Sequence, residues 1–216
     1  MRKISAKGKD LKEINQALKA SLNGKEVTIA EADHLHGLAA GLKHGEVLIE
    51  GNAGDYLGVL NDGAAIEVTQ SVGKYAADNM TSGTVIINGD AEYGAGQYCY
   101  GGTLIIYGEA GDFTATMNKG ATIIVAGDVG DEVGTYMLDG ELVVVGNAGE
   151  NFANFLIRGD VYIGGEWKNL GHNTKIEPLT REEISKLEAY FGTYGIDADP
   201  IEFQKIAAAS EKPFYK

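Results

Sequence analysis

The chain has 216 residues, 44% hydrophobic and 23% charged, a balance that suits a folded domain and argues against disorder. A formal net charge of -13, with arginine only at Arg2, Arg158 and Arg181, lacks the basic footprint that a nucleic-acid backbone requires. The single cysteine, Cys99, excludes an internal disulfide and cannot alone hold zinc or an iron–sulfur cluster; no signal core or ~18-residue apolar run points to a membrane, so a cytoplasmic location is expected.

In chain order, Leu11, Ile14, Leu18 and Leu22 recur at helical spacing, Asp10 and Glu13 form a capping box, and Gly24 is the expected stop. Residues 1–24 are thus read as a helix that caps an open end. Glu26-VTIAEA reads as a degenerate first coil. Seven segments then begin 19 residues apart, at Gly45, Ala64, Gly83, Gly102, Ala121, Gly140 and Gly159. Their third and fifth residues, Val47 and Ile49 through Val161 and Ile163, are all aliphatic, the alternation of a strand with one buried face. Of the 31 glycines, 24 lie between Gly45 and Gly165. A repeat this short, β-branched and glycine-rich cannot hold two helices, so each repeat is one coil. An all-β, single-strand parallel β-helix over residues 25–170 is expected.

Turns of G-x-x-G type follow the strands, as in Gly51-NA-Gly54, Gly108-EA-Gly111, Gly127-DV-Gly130 and Gly146-NA-Gly149, where glycine would supply positive φ. Ala53, Val72, Ala91, Ala110, Val129 and Ala148 make a small apolar ladder, and Gly58, Ala77, Gly96, Ala115, Gly134 and Ala153 a second that marks tight inward packing. Gln70 stands where other coils have glycine, which puts that corner's geometry in question. In the tail, residues 171–216, a charged link over Gly171–Glu177 precedes a helix opened by Thr180 and Glu183, with Ile184, Leu187 and Phe191 on one face. Pro200 to Ala208 is read as a second short helix.

Motifs that could carry chemistry are sparse. Gly94-A-Gly96 precedes another strand rather than a helix, and Gly73-Lys74 lacks the rest of a phosphate loop. None of the serines stands in G-x-S-x-G. Asp33, His34, His36 and His44 fit no zinc spacing and read as a solvated loop. Asp90, Glu109 and Asp128, with Asp112, Asp131 and Glu150, form acidic corner ladders that read as a solvated edge rather than a calcium β-roll. No catalytic, cofactor-binding or metal-ligating residue is assigned. The more informative feature is outward and apolar. The central strand position reads Leu48, Glu67, Ile86, Ile105, Ile124, Val143 and Tyr162. The last five would expose a large patch unless the chain's own N-terminal helix or C-terminal tail lies on them. Both an intramolecular cover and a docking interface at Ile86, Ile105, Ile124, Val143 and Tyr162 stay open.

The repeated turn with its following small residue (Gly51-NA-Gly54-DYL-Gly58, Gly127-DV-Gly130-DEV-Gly134), with Ile14-NQALKASLNG and Gly37-LAAGL before it, resembles the GXGXG domain at the C-terminus of the glutamate synthase large subunit. Residues 10–171 carry the resemblance, and the tail from Pro178 to Phe214 is similar to that of stand-alone forms. One subunit of formylmethanofuran dehydrogenase shares the same coil. The resemblance implies a right-handed β-helix acting as a non-catalytic scaffold of a glutamate-synthase-type oxidoreductase in nitrogen metabolism. It also implies separate partner subunits: a glutaminase, and one carrying FMN and iron–sulfur clusters. This chain itself would hold no cofactor. The alternatives are the formylmethanofuran dehydrogenase subunit, a free-standing hydrolase such as an esterase, or a self-assembling homo-oligomer.

Overall fold

A computed structural model describes residues 2–22, 26–210 and 212. Gly24, the expected helix stop, and Phe214, the expected end of the tail, lie outside them. Strands β1 (Arg2–Ser5), β2 (Val27–Ala30), β3 (Glu46–Glu50), β4 (Asp62–Val68), β5 (Ser82–Ile87), β6 (Thr103–Ile106), β7 (Lys119–Val125), β8 (Asp139–Val144) and β9 (Asp160–Ile163) stack in parallel, in sequence order, as the long wall of a β-solenoid. From β3 to β9 the register advances by 19 residues per rung along the strand centres, as in Val47↔Ile66↔Val85↔Leu104. The inward Val and Ile residues are fully or almost fully buried and share one core with Ile14 and Leu18 of helix α1 (Leu11–Ser21) and with Ile206.

The α1 capping box forms as read, with Asp10 accepting from Glu13 N and Glu13 reaching back to Asp10 N. Asn15 ties the helix to the first coil by donating to Gly37 O and accepting from Ala39 N. The edge of β2 is instead paired by β1, a strand absent from the sequence reading. An open sheet edge presents unpaired N–H and C=O groups, which a strand satisfies and a helix cannot.

The far end corrects the sequence reading. Only Pro200–Glu202 is helical, a single 3-10 turn; Gln204–Ala208 is a strand, β11, inserted antiparallel between β9 and β10 (Thr174–Glu177). Pairing with the open β9 edge outweighs the helix propensity of the alanine run, and Ile206 extends the core beneath Val161. The expected link over Gly171–Glu177 thus contains a strand.

The corner glycines also have a different cause from the one expected. Of those in the four named turns only Gly51 has positive φ, at 97°. At Gly127 an added Cβ would lie 2.5 Å from Gly108 O and 2.7 Å from its carbonyl carbon; at Gly146 it would lie 2.6 Å from the Gly127 carbonyl carbon. At those two corners successive coils approach too closely for a side chain, whereas at Gly51 an added Cβ would meet nothing within 4 Å and the positive φ is the reason for glycine. Gln70 leaves its corner intact, because its carbonyl accepts from Gly89 N at 3.1 Å much as Gly89 O accepts from Gly108 N at 3.0 Å.

Positive φ is used elsewhere. Tyr56, Gly58 and Leu60 are left-handed, and so are Phe113, Ala115 and Met117 three coils on. Gly96, in the Gly/Ala ladder, has φ +67° and a Cβ position 2.7 Å from Ile123, so inward packing is what selects small residues there. Where Ala64 and Ala121 replace the glycine before the strand, the residue before each, Gly63 or Gly120, takes positive φ instead, and the register shifts by a bulge. Buried Asn61 and Asn118 close those bulges, each bonding both N and O of the alanine three residues on.

Candidate functional site

The structure sets the five stripe residues on one continuous ladder, Ile86↔Ile105↔Ile124↔Val143↔Tyr162, on the outer face of the wall. Ile105, Ile124, Val143 and Tyr162 are 0% exposed, because helix α2 (Arg181–Tyr194) and the segment after it lie on them. Leu187, Phe191 and Phe203 complete that second core, with Ile86 half-buried at its margin. Of the two alternatives the sequence left open, the intramolecular cover is the one present, and these four residues are not an open docking interface in the folded chain. Burying each aliphatic side chain contributes about 1.5–3 kcal/mol, which offsets the entropy of ordering the tail.

A charged collar clamps α2 down. Glu141 on β8 accepts from Lys186 and Tyr190, and Asp160 on β9 accepts from Lys205 at 2.8 Å. Lys205 also reaches Glu183 at 2.5 Å, while Lys186 sits 5.0 Å over the Tyr162 ring. Burial works to raise the Glu183 carboxyl, but bonds from Lys205 and from Thr180 outweigh it and lower it to about 2. Burial pushes the Tyr162 hydroxyl well above its usual range. For Lys186 burial favours the neutral form, yet Glu141 and Tyr162 hold it protonated with a raised pKa. At the near edge Tyr107 donates its hydroxyl to Tyr194 O at 2.5 Å. Sequence reasoning missed this collar; the signal available was carboxylates on two adjacent rungs, Glu141 and Asp160, followed by a helix with Lys186 beside its apolar face.

The cover stops at that edge. On the N-terminal rungs of the same face, Leu48 and Ile86 are half-buried and Ala65 and Glu67 exposed. With Glu26 and Glu46 they line a shallow groove of about 280 Å³.

The other candidates are built into the coil. Asp90, Asp112, Asp128 and Asp131 each accept a backbone N–H 19 residues on, from Glu109, Asp131, Asn147 and Glu150 at 2.7 to 2.9 Å, so the acidic corners bind one coil to the next. Ser71 does the same for Asp90 N. His36 Nδ1 accepts from Asp55 N at 3.1 Å, and among the described residues no three His, Cys, Asp or Glu side chains are grouped to hold a metal. Cys99 is buried, its thiol bonding Ala77 O and pushed up to about 12 by desolvation, outside the range of a thiolate nucleophile. Gly94 and Gly96 pack against Tyr75 and Ile123, and Lys74 N caps Asp55, so the glycine-rich segments are coil structure. Among the described residues no helix is long and apolar enough to cross a membrane.

By class, then, this is a parallel β-solenoid whose outer face carries its own C-terminal helix. Residues 93–191 match the family described as GXGXG motif, that of the C-terminal domain of the large chain of glutamate synthase. The matched segment runs from the Tyr93 corner to Phe191 of α2, and so takes in strands β6 to β9 with their corners and most of the helix that covers them. No curated protein matches the chain.

Proposed function

We propose that the chain is a non-catalytic scaffold subunit of a glutamate-synthase-type oxidoreductase complex, serving glutamate synthesis and nitrogen assimilation. Glutamine hydrolysis and FMN and iron–sulfur electron transfer belong, on this reading, to separate partner subunits. The observation that carries it is the GXGXG match over residues 93–191, which falls on the C-terminal coils and the helix that covers them. The side chains singled out as possible chemistry support it: the acidic corners, Ser71, His36 and Cys99 are bonded within and between coils. A stack of this kind is stiff, because every rung is bonded to the next, and it offers a long surface on which other subunits can be held in fixed relation.

The test is purification of the tagged chain from its native cell, with mass spectrometry and glutamate synthase assay of what comes with it. The expected result is a stoichiometric glutaminase subunit and a flavin- and iron–sulfur-bearing subunit, with activity in the assembly and none in the isolated chain. Recovery with formylmethanofuran dehydrogenase subunits would reassign the complex. Ester hydrolysis by the isolated chain, abolished by one serine substitution, would overturn the scaffold reading.

A further inference from the structure

We propose that the uncovered N-terminal end of the outer face, from Leu48 to Ile86, receives an amphipathic helix of a partner protein with lysine or arginine along one flank. This deepens the scaffold reading and rests on it.

The outward position at the start of each strand forms its own ladder, Glu46↔Ala65↔Thr84↔Thr103↔Thr122↔Glu141↔Asp160. Its middle rungs are neutral. At the C-terminal end Glu141 and Asp160 sit on adjacent rungs, and there an amphipathic helix lies down, with Leu187 and Phe191 on the apolar stripe and Lys186 on the carboxylates. The N-terminal end repeats the arrangement. Glu26 immediately precedes Val27, whose rung partner is Val47, so Glu26 and Glu46 again place carboxylates on adjacent rungs. Beside them the central ladder reads Leu48, Glu67 and Ile86, so two apolar residues flank a third carboxylate, with Ala65 next to them in the groove.

Rungs are ~4.8 Å apart, so like charges on neighbouring rungs repel and a cation between them is favoured. Among the described residues Lys186 and Lys205 supply those cations at one end, while neither Glu26 nor Glu46 makes an ion pair at the other. From Leu48 to Ile86 is two rungs, ~10 Å, the width of one helix. A cationic amphipathic helix therefore complements this groove in width, in the three carboxylates of Glu26, Glu46 and Glu67, and in the apolar Leu48, Ala65 and Ile86 around them, and it would extend the layer that α2 begins. A net charge of -13 works against a second copy of this chain as the occupant.

The experiment uses the full-length tagged chain in its native complex. Carbodiimide treatment joins a carboxylate to a lysine already in contact with it, and mass spectrometry maps the product. The expected cross-link joins Glu26 or Glu46 to a lysine of a partner peptide whose apolar residues recur at helical spacing. The double variant Glu26→Lys/Glu46→Lys and, separately, Leu48→Asp are expected to weaken partner binding about tenfold or more, with the thermal midpoint of the isolated chain unchanged. Glu150→Lys, on a corner, leaves binding unchanged. A cross-link to a second copy of this chain, or to a segment of this chain itself, overturns the proposed occupant. If the wild type holds its partner subunits and the variants hold them equally, the groove inference fails while the scaffold reading stands; if the wild type holds no such subunits, the scaffold reading fails and takes this one with it.

Discussion

Gly127 shows how much of this solenoid depends on what is missing from a side chain. Its φ is one that any residue adopts, yet a methyl group there would press on the backbone of Gly108 one coil away. Gly127→Ala is therefore expected to lower stability by about 1–3 kcal/mol, as overpacking does, read as a fall in thermal midpoint. Gly192 in α2 is the control. Nothing lies within 4 Å of its added Cβ and its φ is not left-handed, so Gly192→Ala is expected to raise stability by up to about 1 kcal/mol. The 19-residue period located the corner glycines from sequence, but the reason for them did not follow from it. A glycine beside Asn or Asp in a turn is ordinarily about φ, whereas at Gly127 the partner that excludes a Cβ is the residue 19 positions earlier.

At the scale of elements, α2 is held by two independent means, an apolar face and a charged collar. Leu187→Asp with Phe191→Asp buries two charges against Ile105, Ile124, Val143 and Tyr162, and the expected outcome is a detached tail over an intact solenoid. Increased binding of an apolar dye and self-association in sedimentation, with far-UV strand signal retained, would show it. The collar titrates separately. The folded-state pKa of Glu183 is about 2, below the ~4.3 of an unperturbed glutamate, so its contribution is fully present above the unfolded value and is lost as pH falls from about 4 towards 2. Glu183→Gln is therefore expected to be less stable than wild type at neutral pH, by a gap that closes as pH falls through that window. A gap of constant size down to pH ~2 would contradict the assignment. The N-cap pair Thr180 and Glu183 was readable in sequence because a capping box is local. The reach of Lys205 to Glu183 was not, because Lys205 sits on β11, a strand that exists only by pairing with β9 and β10.

The whole molecule behaves as a stack with nearest-neighbour bonds, so its length is adjustable in units of one coil. Deleting residues 70–88, one full period, joins Thr69 to Gly89 and keeps every ladder in step, apart from the loss of one rung. That variant is expected to unfold cooperatively at a lower midpoint, whereas deleting residues 70–78 alone is expected to abolish folding, since an interrupted coil turns the next strand's inward residues out of register. Far-UV dichroism on thermal melting distinguishes the two.

By itself the sequence determined the solenoid, the direction in which each strand residue points and the position of the outer stripe, because a fixed period with alternating apolar residues allows one stacking. Only the tertiary structure decided that corner glycines such as Gly127 and Gly146 answer to close approach, that residues 204–208 extend the sheet, and that Ile105 to Tyr162 are covered while Leu48 to Ile86 are left open among the described residues. The physical reason is the same in each case. These outcomes depend on which surfaces far apart in sequence meet, and an apolar stripe, an open strand edge or a bare corner has the same residues whether or not anything lies against it.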